Sequence, residues 1–140
     1  MMIDCAEGTQ LQLRKYKVAF QKIDHIFISH LHGDHYLGLV GLISSFHLFG
    51  RNKTLYIYGP SDLERIIFDQ LKASKTFLCY QVKFHPLVND SSELIFEDSI
   101  LEVHTIPLKH RIYCNGFLFK EKKKERRLSK ELIVKYKIPV

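Results

Sequence analysis

A chain of 140 residues, 46% hydrophobic and 26% charged, has the apolar content to build one ordinary core, which excludes an intrinsically disordered segment. The net charge of +6 and the pI near 9.2 suit a polyanionic partner such as nucleic acid. Cys5, Cys79 and Cys114 lie far apart and make no CxxC pair, and no apolar run nears the roughly 18 to 20 residues of a membrane span, so a reduced, cytoplasmic, membrane-free setting is expected.

The opening "MMIDC" is short and apolar, without a basic leader or an apolar h-region. "AEGTQLQLRKYKVAF" then reads as a turn at Gly8 and a short helix. "IDHIFISH" is β-branched and aromatic, the composition of a buried strand. From Asp34 the periodicity predicts a buried helix, with Leu39, Leu42, Ile43 and Phe46 on one face. Gly38 and Gly41 weaken that helix and predict close approach of another backbone.

"KTLYIYGP" alternates as a strand and stops at Gly59-Pro60. Ser61 and Glu64 have capping-box spacing ahead of a helix whose stripe is Leu63, Ile66, Ile67 and Leu71. Strands follow at "QVKFHPLV", "ELIFED", "ILEVHTIPL" and "NGFLFKE", and "SKELIVKY" reads as a last helix. Alternating helices and strands followed by a run of strands give an α/β class with stacked layers, and one domain over residues 1–140. The run "KEKKKERR" at 120–127 is either a solvated loop or a phosphate-binding stretch, and the solvated loop is the favoured reading.

The chemistry concentrates in "HIFISHLHGDHYLGLVGL", where His30, His32, Asp34 and His35 share six positions. Residues two apart on an extended segment point to the same side, so His30 and His32 can reach one ion. Gly33 permits a sharp turn, after which Asp34 and His35 can face a second ion nearby, as in two-metal hydrolytic sites. Imidazole with carboxylate favours zinc over magnesium or calcium.

This HxHxDH stretch resembles the signature of the metallo-β-lactamase superfamily, whose fold is a four-layered α/β/β/α sandwich. "IDCAEGTQLQL", "KIDHIFISHLHGDHYLGLVGLISS", "LYIYGP" and "PLKHRIYCNGFLF" look, in that order, like the ribonuclease Z family of tRNA 3′-processing endoribonucleases. Ala6 stands where that family usually has glycine. The resemblance implies that His30, His32 and His110 bind one zinc and that Asp34 and His35 bind a second. It implies phosphodiester hydrolysis by a metal-activated hydroxide, with Asp34 orienting or deprotonating the water, a tRNA precursor as substrate, and a homodimer. His25, His47, His85 and His104 match no ligand position.

The family's later bridging aspartate and last histidine have no counterpart here, because no aspartate or histidine follows His110. The chain therefore looks like the N-terminal half of the sandwich, truncated at both ends, with an apolar sheet face left uncovered. Two other outcomes stay open: a catalytically impaired metal- or RNA-binding remnant, or another hydrolase of the same superfamily.

Overall fold

A computed structural model describes residues 1–88, 90–123 and 130–137. The elements are β1 (Met2–Ile3), α1 (Thr9–Lys15), a 3-10 turn (Phe20–Lys22), β2 (His25–Phe27), α2 (Gly33–Tyr36), α3 (Leu39–Leu48), β3 (Leu55–Pro60), α4 (Asp62–Ala73), β4 (Val82–Leu87), β5 (Leu94–Glu97), β6 (Leu101–Pro107), β7 (Asn115–Glu121) and α5 (Lys130–Lys135). Strands β1 to β4 form a parallel sheet in that order, and β5 to β7 form an antiparallel one.

The apolar run of β2 is explained by burial on both sides, as parallel sheets require. Ile26 and Ile28 face a core with Leu39, Leu42, Ile43 and Phe46 of α3 and with Leu63, Ile67 and Leu71 of α4. Phe27 points the other way, into a second core with Tyr58, Leu87 and Val103 that joins the two sheets. Helices, parallel sheet and antiparallel sheet are thus three successive layers.

The helix expected from Asp34 is two helices, α2 and α3, divided at Gly38. Here the N–H of Gly38 donates to the Cys5 carbonyl at 2.9 Å, and a β-carbon on Gly38 would sit 1.9 Å from the Ala6 carbonyl oxygen. The close backbone approach foreseen for the two glycines is real at Gly38. At Gly41 the neighbour is a side chain, Gln10, whose amide also reaches Ser45 Oγ at 2.6 Å. The capping box at Ser61 does not form: its φ and ψ of −54° and −35° are already helical, whereas an N-cap needs extended backbone to turn its hydroxyl onto the helix.

The four histidines outside the signature have structural or surface surroundings. His25 stacks on Tyr56 and meets the edge of Phe96, and His85 stacks on Tyr58. His47 accepts the Cys79 N–H at 3.0 Å, and His104 lies 3.2 Å from Glu102. In the charged run, Lys120 pairs with Glu102 and Lys122 with Glu97, so both serve the antiparallel sheet. Lys124, Glu125, Arg126 and Arg127 lie outside the described residues. Among the described residues no helix is long and apolar enough to cross a membrane.

The antiparallel sheet turns Leu94, Ile106 and Leu118 outward, each between 43% and 49% exposed. Such a face favours self-association. Light scattering across a concentration series should show association by the wild-type chain and less of it by Leu118→Lys. Gly38→Ala should lower stability by about 2–3 kcal/mol in urea unfolding, because the added methyl meets a backbone carbonyl that is itself hydrogen-bonded.

Candidate metal centre

Past Phe27 the chain leaves the parallel sheet and runs through residues 28–32 before α2 begins, with His32 still extended at φ −78° and ψ 143°. His30 lies in this stretch, 6% exposed. His110 comes from the far side of the sequence, on the loop between β6 and β7. That loop is closed by Leu108 N–H donating to Cys114 O, and docked by Asn115 N–H donating to Ser29 O, both at 3.0 Å.

The docking brings three rings together. His32 Nδ1 lies 3.1 Å from His30 Nε2 and 3.2 Å from His110 Nε2, and all three ligand atoms fall within 4.8 Å of one another. Tetrahedral ligands held 2.0–2.1 Å from one ion stand roughly 3.3 Å apart, close to the two separations that His32 makes. Arg111 sets Nε and Nη2 each 3.2 Å from His32 Nε2. Two such donors ask that ring to carry its proton on Nδ1, between the other two imidazoles. An ion would take the place of that proton, and Arg111 would turn aside as it did.

Beside the triad, His35 Nε2 lies 3.5 Å from Asp34 Oδ2, and the rings of His30 and His35 are 4.0 Å apart between centroids. Asp34 is in the first turn of α2 with its side chain 76% exposed. The signature pair expected at a second ion is therefore adjacent to the first three ligands. Among the described residues, however, the triad is the only group of three donors close enough to share one ion.

One contributor went unrecognised in the sequence: Asp4. Its Oδ1 accepts the Ser29 N–H at 2.8 Å, and its Oδ2 accepts the Ser29 hydroxyl at 3.0 Å and His35 Nδ1–H at 2.7 Å. Since the hydroxyl proton goes to Asp4, Ser29 Oγ is left to accept from His30 Nδ1–H at 2.9 Å. Both rings are thereby protonated on Nδ1 and offer Nε2 lone pairs to the centre. The only signal was the position of "DC" just after an apolar strand, which does not reveal a partner 25 to 31 residues away.

Known proteins resemble this chain in sequence and in fold. Ribonuclease Z of Bacteroides fragilis is 47% identical over 139 residues, spanning 99% of this chain and 46% of that protein. The short form of human tRNase Z superposes with a TM-score of 0.79 at 35% identity, over 85% of this chain and 53% of that one. Over nearly its whole length the chain is similar to ribonuclease Z. The family described as Anti-Pycsar protein Apyc1 matches residues 1–77, including the signature corner, and the chain belongs to that family. The metallo-β-lactamase fold protein YhfI of Bacillus subtilis shares the fold, with a TM-score of 0.59 at 22% identity over 85% of this chain and 46% of that one. The chain spans about half the length of the ribonuclease Z relatives it matches.

Burial first, then the neighbouring charges of His35, His32 and His110, push the His30 pKa below its ordinary 6.5. Burial lowers His25 in the same way. Below about pH 6.5 the unfolded chain binds more protons than the folded one, so the stabilising contribution of these rings is present above that pH and is lost as pH falls through the lowered values. The urea midpoint of the metal-free chain should hold steady from pH 8 to 7 and drop between pH 6.5 and 5. A midpoint that rose on acidification would contradict this arrangement.

Proposed function

We propose that this chain is part of a zinc-dependent endoribonuclease of the ribonuclease Z kind, which removes 3′ trailers from tRNA precursors. The observation that carries the reading is the arrival of His110 against His30 and His32, a donor set of three neutral imidazoles suited to zinc. His30, His32 and His110 would hold the first ion, and Asp34 with His35 would supply two ligands to a second. A zinc ion held there would supply positive charge for a phosphate oxygen and would lower the pKa of a water toward neutrality.

The chain's own residues supply the rest. In this reading Asp34, open to solvent, orients a water and takes its proton. Asp4 and Ser29 keep the rings of His30 and His35 turned inward, so no rotation is needed when substrate arrives. Lys109, lining the same open depression of about 350 Å³, adds a cation at its rim for the phosphate backbone. Residues 1–140 act in this reading as part of a single metallo-β-lactamase-like domain, in the cytoplasm, with a homodimer as the working assembly.

A second reading has its own support. Since the described residues offer only Asp34 and His35 at the second position, the chain acting alone is in this second reading a single-ion protein and a weak nuclease or none. The match to the anti-Pycsar family offers a different activity, but it stops at residue 77 and does not reach His110.

Metal analysis of the purified chain should find about one tightly held zinc, lost in His110→Ala and kept in His104→Ala. Asp4→Asn should weaken zinc binding about 10–100-fold with the fold intact by circular dichroism. A tRNA precursor bearing a 3′ trailer, incubated with the zinc-loaded chain, tests the activity. Cleavage of a lactam or thioester but not of the precursor would overturn the ribonuclease reading.

A further inference from the structure

The centre does not open only onto solvent. A groove of about 560 Å³ shares His32 with the triad. It is lined by Leu31, which stands between His30 and His32 in the chain, and by Ile112 and Tyr113, which follow His110 on the same loop. Pro60, at the end of β3, and Val88, just after β4, line it as well, together with Ser61 and Asp62. Val88 is 62% exposed and Ile112 37%, so the walls present apolar surface to whatever enters. The Tyr113 hydroxyl is already engaged, accepting from Asn115 Nδ2 at 2.7 Å.

We infer that this groove seats the nucleobase of the nucleotide next to the scissile phosphate, a role that rests on the phosphodiesterase reading of the triad. The occupant follows from continuity and from chemistry. A phosphate held at His30, His32 and His110 has its flanking nucleoside within one residue's reach of His32, and a base is the flat, largely apolar part of that nucleoside. The aliphatic and proline side chains of the lining pack against a ring without reading its edges. Recognition is therefore by stacking and exclusion of water, tolerant of base identity. The sugar and phosphate stay on the wet side, near Lys109 and Arg111, where charge is useful.

The test compares three probes on the zinc-loaded chain: 5′-AMP, ribose 5-phosphate and inorganic phosphate, with methyl NMR as readout. The expected result is that 5′-AMP binds about tenfold more tightly than ribose 5-phosphate, and that it alone shifts the methyl signals of Leu31, Val88 and Ile112. Ile112→Asp should bring 5′-AMP down to the ribose 5-phosphate level. Val88→Asp, in a separate part of the chain and more exposed, should do the same and covers the case in which Ile112→Asp fails to fold. Equal binding of 5′-AMP and ribose 5-phosphate, or AMP-induced shifts confined to other methyls, overturns the groove while leaving the metal centre standing. If none of the three probes binds, the phosphodiesterase reading falls and the groove proposal falls with it.

Discussion

The carboxylate of Asp4 is the constraint on which the centre depends. It stands at the end of the first strand with φ 53°, a left-handed conformation that costs a non-glycine residue about 1–3 kcal/mol and persists only where the surroundings enforce it. They do so here through the backbone. Asp4 N–H donates to Phe27 O, Cys5 N–H to His35 O, and Gly38 N–H to Cys5 O, all between 2.8 and 2.9 Å. The chain at residues 4–6 is thereby fastened to both the strand that leads into the signature and the helices that leave it. One fixed carboxylate then sets His35 directly and His30 through Ser29, so an imidazole on each side of the corner takes its orientation from the same group.

The second requirement is that the antiparallel sheet sit in register over the parallel one, because it alone delivers His110. Aromatic packing secures this. Phe27 stacks on Tyr58 at 4.7 Å and meets Phe117 and Phe119 at 5.4 Å each. Burying a phenylalanine contributes about 1.5–3 kcal/mol, and tightly packed interiors resist the sliding that would separate the loop of His110 from His32. The core between the sheets and the metal centre at their edge are consequences of one packing arrangement.

Part of the basic charge is structural. Lys120 and Lys122 are committed to glutamates of neighbouring strands, and Arg51, 4% exposed, binds Asp24 and four backbone carbonyls. Lys109 and Arg111 are the cations that stand next to the ligands.

What the sequence determined by itself was local. Period-2 and period-3.6 patterns are set by backbone geometry within a few residues, so the strands, the apolar faces of α3 and α4, and the crowding of His30, His32, Asp34 and His35 at one corner could be read directly. The split between α2 and α3 and the missing cap at Ser61 could not, because each depends on a backbone contact or dihedral that no side-chain pattern records. His110 was found by resemblance alone, and Asp4 was not found. Their partners lie 78 and 31 residues away, and only the packing of one sheet on another, and of one loop on a helix corner, decides which distant nitrogen or oxygen completes a site.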